Sequence, residues 1–199
     1  EGWIQDEDTL DTWFSSGLWT FSTLGWPDET EDMKIYHPTN VLETGYDIIF
    51  FWVARMILMT TYHLGQIPFK TVYLHGLVRD EKGVKMSKSL DNSIDPVVVA
   101  NEYSADAVRM ALLVGVGPGA DLSIGENKIK AYKKFSNKIW NIARFVQENV
   151  GDTVFNPTYT LTTIDKVTLD ELTSTIAEVT DDIENYRLYL ASEKLYHFA

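Results

Sequence analysis

The chain has 199 residues, 45% of them apolar, and 29 acids against 17 bases give a net charge of -12. This profile fits one large globular domain, or one and a half, with a buried core. The absence of cysteine excludes a disulfide framework, a thiolate metal site and a cysteine nucleophile. The four histidines, His37, His63, His75 and His197, include no pair at metal-ligand spacing, so no tightly bound metal is expected.

The opening EGWIQDEDTL has neither a basic n-region nor an initiator Met, so it reads as an internal start rather than a signal peptide. TLDTWFSSGLW follows, aromatic and serine-rich, and ends near the turn LGWPDE. HPTNVLE predicts a short strand. ETGYDIIFFWVARMILMTTYHLG predicts one long helix, capped by Thr44 with Asp47 three residues on, and ended by Gly65 and Pro68. It is apolar nearly all round, which predicts burial in a larger domain. Its apolar stretch from Ile48 to Met59 contains Arg55 and is too short to span a bilayer, so no membrane partner is expected.

TVYLHGLV, β-branched and aromatic, predicts a strand, and RDEKG a turn. Asp95 followed by Pro96 is a strong helix start. A second helix is expected near Ala105 to Val114, carrying Asp106 and Arg109. GVGPGAD is a loop and a candidate domain boundary. From Glu126 the pattern is helical. One amphipathic helix runs to about Val150, NPTYTLTT is a connector, and a second helix runs from near Lys166 to the C-terminus. Two bundle helices alone rarely bury enough surface, so this end is expected to continue in a longer protein.

Charge is unevenly placed. Residues 1–50 hold 11 acids and one base, whereas residues 127–150 hold one acid and six bases. Basic groups gather from Arg79 to Lys88 and from Lys128 to Arg144. Such a stripe in an acidic chain points to a polyanionic partner; a solvated helix face is the simplest alternative, and the sign contrast with the neighbouring segments favours the polyanion.

The sharpest local signal is GVKMSKSL, residues 83–90. Lys85 and Lys88 lie on a loop after a strand, and flexible ammonium groups there suit a moving phosphoryl group. Taken alone, a lysine- and serine-rich run is more often a solvated turn. KMSKS in the setting HGLVRDEKGVKMSKSLDN resembles the second hallmark motif of the class I aminoacyl-tRNA synthetases. DTWFSSGLW and ETGYDIIFFWVARMI resemble the valine-activating branch of that family, and the resemblance runs over essentially the whole chain.

The resemblance implies an α/β fold: the second half of a Rossmann-type catalytic domain (residues 1–80), a KMSKS-bearing connecting segment (81–125) and the first helices of an anticodon-binding bundle (126–199). It implies a ligase that activates valine with ATP, supplied with Mg2+, to valyl-adenylate and pyrophosphate, then transfers valine to its tRNA. Lys85 and Lys88 would hold the phosphates, with Met86, Ser87 and Ser89 in the same loop. Trp13, Ile48 and Trp52 would wall the valine pocket. On periodicity alone, Ile48 and Trp52 are core residues sharing one helix face. Gly45, Asp47, His75, Gly76 and Val78 would face the nucleotide, although capping explains Asp47 and a core role explains His75. Lys128, Lys130, Lys133, Lys134 and Lys138 would meet the tRNA backbone.

One departure from the family is visible: Asp91 stands where the family commonly has glycine. The first family motif, His-x-Gly-His, and the editing insertion are not in the sequence, so the 199 residues are expected to be inactive without the other half of the enzyme. The expected protein is cytoplasmic and monomeric. Two other readings stay open: a non-catalytic RNA-binding module of synthetase shape, and an isoleucine-type relative.

Overall fold

The computed structural model describes residues 2–151 and 160–199, with Lys88 described only in its backbone. The chain divides into two compact units, Glu1–Gly76 and Leu77–Ala199.

In the first unit, two short helices, α1 (Thr12–Gly17) and α2 (Trp19–Ser22), precede α3 (Glu31–Tyr36). Asp11 caps α1 by accepting the Trp13 amide at 2.8 Å. The centre is a βαβ unit. Strand β1 (Thr39–Gly45) pairs in parallel with β2 (Phe69–His75), from Thr39 opposite Phe69 to Gly45 opposite His75. The crossover contains α4 (Ala54–Leu64), which stops at Gly65 in the left-handed region, φ 65°.

The crossover corrects the predicted single helix. Thr44 is buried inside β1 and caps nothing. After Gly45 the chain makes a 3₁₀ turn at Tyr46–Ile48 and a π turn at Ile49–Val53 before settling into α4. The pairing of Thr44 with Leu74, thirty residues away, overrides the local helical pattern. Tyr46–Leu64 is thus one helical run of 19 residues, long and apolar enough by length and composition to cross a membrane, where Ile48–Met59 alone reads as too short. It joins two paired strands and packs Val53 and Met56 onto Phe69, with Leu42, Trp52 and Val72 around them. The expected burial holds only on that face: Phe50, Leu58 and Tyr62 are exposed. Phe21 is fully buried, and the buried hydroxyls of Thr20 and Thr60 meet at 2.7 Å, joining α2 to α4.

In the second unit, β3 (Val78–Arg79) pairs in parallel with β4 (Leu122–Ser123). Between them lie the turn and loop of residues 80–95, then α5 (Pro96–Tyr103) and α6 (Ala105–Leu113). Asp95 caps α5 as expected, accepting the Val97 amide at 2.8 Å, with Pro96 at the first helical position. Ala107, Val108 and Ala111 of α6 pack with Leu122, Ile124 and Ile129 into the core of this unit. Ile129 belongs to α7, which runs Glu126–Val150 as predicted. The first half of the expected connector NPTYTLTT, residues 156–159, lies outside the described residues.

The last predicted helix is two. Helix α8 (Thr163–Glu184) and α9 (Leu188–Phe198) meet at a sharp turn where Tyr186 has φ 57°. The break is held by Asp182, which is buried. Its carboxylate accepts Arg187 Nε at 2.7 Å and pairs with Lys194 Nζ at 2.8 Å, while its carbonyl accepts the Arg187 amide at 2.7 Å. The pKa values of both cations are raised, first of all because they face this carboxylate.

Candidate functional site

In open α/β sheets, ligands bind beyond the carboxyl ends of parallel strands. In the first unit those ends are Gly45 and His75, paired in register. A Cβ at Gly45 would lie 2.7 Å from Asp47 Oδ1 and 3.4 Å from His75 Cε1. Gly45, Asp47 and His75 therefore form one cluster, and glycine is required there by close approach rather than by its φ of -66°. The His75 ring is exposed. Its Nδ1 lies 2.7 Å from the Gly76 carbonyl and its Nε2 lies 3.2 Å from Glu43 Oε1. Glu43 had no mark in the sequence, because only strand pairing brings it beside His75. Asp47 sits in the first turn of the 3₁₀ segment, not in a helix cap pair with Thr44.

The aromatic residues lie on the same unit. Trp13 of α1 stacks on Phe51, with ring centroids 5.7 Å apart and planes at 30°. Trp52 Nε1 donates to the Ser16 carbonyl at 3.0 Å, and its ring packs against Val53, Met56 and Phe69. The two tryptophans thus each tie α1 to the π turn. Ile48 is half-buried at the end of the 3₁₀ segment. The α-helical spacing that put Ile48 and Trp52 on one face does not apply across a 3₁₀–π junction. Phe51 was missed for the same reason: its contact with Trp13 depends on the wider turn.

In the second unit, the loop after β3 is tightly organised. Asp80 Oδ1 accepts the amides of Lys82 and Val84, each at 2.9 Å, and closes the turn. Asp121 accepts the Leu77 amide at 2.8 Å and Arg79 Nε at 2.6 Å, and Arg79 also donates to the Gly83 carbonyl at 3.2 Å. The Met86 amide returns to the Val78 carbonyl at 3.2 Å. Met86 packs against the core of the unit, and Val78 and Met86 both line an apolar cavity of about 360 Å³ with Ile94 and Ile124.

Lys88–Leu90 forms one 3₁₀ turn; the Lys88 side chain lies outside the described residues. Ser87 Oγ and Ser89 Oγ are 3.1 Å apart. Asn92 spans the loop: its Oδ1 accepts the Ser87 amide at 2.9 Å, and its Nδ2 donates to Asp80 Oδ2 at 3.1 Å and to the Lys85 carbonyl at 3.3 Å. Asp80 is held below the usual carboxylate range, first by Asn92 and then by the Val84 amide. Arg79 was marked in the sequence only as part of a basic cluster, and Asp80, Asn92 and Asp121 carried no role by type.

The basic helix is not uniform. Lys128 is half-buried and donates to the Val114 carbonyl at 3.3 Å, and burial lowers its pKa. Lys133 donates to the Glu102 carbonyl at 3.0 Å and lies 5.4 Å from the Tyr103 ring centroid. Lys130 pairs with Glu126 at 2.9 Å. The Tyr103 hydroxyl also donates to Glu126, which drives the tyrosine pKa up. Lys134 and Lys138 are exposed on the wall of an open groove of about 790 Å³, which Tyr103, Asn137 and Tyr196 also line.

Residues 1–125 match the family described as tRNA synthetases class I (I, L, M and V). The whole chain is 51% identical to a valine–tRNA ligase of Clostridium tetani, covering 23% of that protein. Over 98% of the chain it is 54% identical to a valine–tRNA ligase of Thermotoga maritima, covering 22% of it. The chain thus spans less than a quarter of the length of these relatives. Its fold is similar to that of LeuRS in the ternary complex of Agrobacterium radiobacter K84 LeuRS, tRNA and LeuAMS, with TM-score 0.81 at 24% identity, over 98% of this chain and 26% of that one. It is also similar to Mycobacterium tuberculosis methionyl-tRNA synthetase in complex with methionyl-adenylate, with TM-score 0.73 at 28% identity, over 89% and 36%.

Proposed function

Because the chain belongs to the class I tRNA synthetases, we propose that it is a segment of a cytoplasmic, monomeric valine–tRNA ligase. It holds the later part of the catalytic domain (residues 1–80), the KMSKS segment (81–125) and the start of the anticodon-binding helices (126–199). The observation that carries the choice of valine is the identity of about one half, along the whole chain, to ligases named for valine. ATP enters as its magnesium salt, so the metal is part of the substrate.

In the proposed reaction a valine carboxylate oxygen attacks the α-phosphorus of ATP. The bond from that phosphorus to its bridging oxygen breaks, and pyrophosphate leaves with the electron pair. Charge grows on the phosphate oxygens, and the Lys85 and Lys88 ammonium groups are suited to stabilise it, with Ser87 and Ser89 as further donors. Gly45, Asp47, His75 and Gly76 cluster at the strand ends in the first unit, where a ribose and base would be held. Val78 and Met86 would offer backbone groups to the base. Trp13, Ile48 and Trp52, joined by Phe51, would wall the valine side chain; rigid rings suit the exclusion of one extra methylene, worth about 1–3 kcal/mol. The acyl group then passes from the adenylate to the tRNA, and AMP leaves.

Titration calorimetry with non-hydrolysable valyl- and isoleucyl-adenylate analogues tests the reading. The full-length protein is expected to bind the valyl form at least about tenfold more tightly. Equal binding would remove the valine assignment, and binding of neither would favour an RNA-binding module over an enzyme. The 199-residue segment alone is expected to lack valine-dependent ATP–pyrophosphate exchange, and a full rate from it would show that no further part is needed.

A further inference from the structure

The loop from Asp80 to Asn92 is not a free cationic turn. Three of its amides have side-chain acceptors: Lys82 and Val84 on Asp80, and Ser87 on Asn92. Asn92 alone touches three separate points, the Asp80 carboxylate, the Lys85 carbonyl and the Ser87 amide. To reach back that far the chain must reverse just before it, and it does so at Asp91, a non-glycine residue with φ 51°. The Leu90 amide closes onto the Ser87 carbonyl at 3.2 Å in the same reversal.

We propose that Asn92 is the positioning residue of this loop. Swung back by the left-handed turn at Asp91, its carboxamide clamps the backbone at Lys85 and Ser87 to Asp80, and so sets the register from which the Lys85 side chain meets phosphate oxygens. Asn92 touches no reacting atom. It acts through Lys85 and Ser87, and the proposal rests on the ligase reading above.

The chemistry of the clamp is specific to an amide. Asparagine offers two donors and an acceptor on one planar group. The acceptor is used on Ser87 and the donors on Asp80 and Lys85. An aspartate in its place would keep the acceptor, lose both donations and face the Asp80 carboxylate as a like charge. Asp80 cannot turn away without releasing the amides of Lys82 and Val84. A change at position 92 is therefore felt at the backbone of both the turn and the motif. Positioning errors of this kind cost about a hundredfold in rate where the reacting groups themselves are intact.

The test is made in the full-length ligase by valine-dependent ATP–pyrophosphate exchange. Asn92→Ala is expected to lower kcat by about 10- to 100-fold with the KM for valine unchanged, because the pocket residues belong to the other unit. Asn92→Asp is expected to lose at least as much, and the reciprocal swap Asp80→Asn with Asn92→Asp to recover part of it, since a donor and a carboxylate again face each other. Amide hydrogen exchange at Ser87 is expected to speed up in Asn92→Ala, a readout independent of turnover. Should Asn92→Ala fail to fold, the comparison of Asn92→Asp with the swapped pair decides the matter. A kcat at the unmodified level in Asn92→Ala, or a swapped pair no better than Asn92→Asp, would overturn the clamp while leaving the ligase reading intact. An unmodified protein with no exchange for any amino acid would overturn the ligase reading and this role with it.

Discussion

Asp91 shows how one residue links sequence, backbone and chemistry. A left-handed φ of 51° is costly for most side chains, and aspartate is among the few that tolerate it. The glycine common in the family at this place would adopt the turn freely, so the departure to aspartate keeps the geometry and adds a negative charge beside the loop proposed to meet phosphate. Asp91→Asn retains a residue that accepts the turn and removes the charge. It is expected to lower the KM for ATP by about two- to fivefold through reduced repulsion, with kcat and thermal stability nearly unchanged, in ATP–pyrophosphate exchange and a melting scan. Asp91→Val is expected to destabilise the loop, because a β-branched side chain is a true outlier there. An unchanged KM in Asp91→Asn would mean that the charge at 91 is fully screened.

Elements with purely local signals were legible, and those set by distant partners were not. Asp95 and Pro96 mark the start of α5, Gly65 the end of α4, and the period of α7 its whole length, because each is decided within a few residues. Thr44 looked like a cap because its neighbours fit one, but its place in β1 depends on Leu74. The turn between α8 and α9 was hidden in the same way. No glycine or proline marks it; it is held by the ion pairs of buried Asp182 with Arg187 and Lys194. In the candidate site, the motif lysines and the His75 cluster were picked out through the family resemblance rather than by residue type, whereas Glu43, Phe51, Asp80 and Asn92 join these groups only through pairing, a π turn and loop closure. The Asp182 carboxyl is held below its usual range, first by Lys194 and then by Arg187. Its contribution to stability is therefore present above the unfolded pKa of about 4 and is lost as pH falls through the lower folded value. Far-ultraviolet dichroism with pH is expected to show α8–α9 loosening below about pH 4. Asp182→Asn, which removes the carboxylate that Arg187 and Lys194 share and leaves them paired with Asp181 and Glu178, is expected to lower the melting temperature at neutral pH and to show less of that acid transition. An unaltered acid transition in Asp182→Asn would place its cause elsewhere.

Across the whole molecule, a net charge of -12 opposes any polyanion, so the proposed tRNA contact rests on local geometry. The five lysines of α7 suggest a five-point phosphate contact when read as a list, but the structure divides them. Lys128 is spent on the Val114 carbonyl and is half-buried, and Lys130 and Lys133 are drawn to Glu126, Glu102 and the Tyr103 ring. Lys130, Lys133, Lys134 and Lys138 all line the groove, and Lys134 and Lys138 are its exposed lysines besides the Glu126-paired Lys130. Each phosphate contact releases counterions, and the slope of log affinity against log salt counts them at about 0.7–0.9 per contact. The double change Lys134→Ala with Lys138→Ala is expected to flatten that slope for tRNA binding to the full-length ligase by about 1.5, with folding unaffected. Lys128→Ala is expected to leave the slope unchanged and to lower the melting temperature, because it removes an internal hydrogen bond and a packed aliphatic stem. If Lys128→Ala flattened the slope as much as the double change, all the lysines of α7 would count alike, and the helix would be an undifferentiated basic stripe rather than a groove with two phosphate-facing positions.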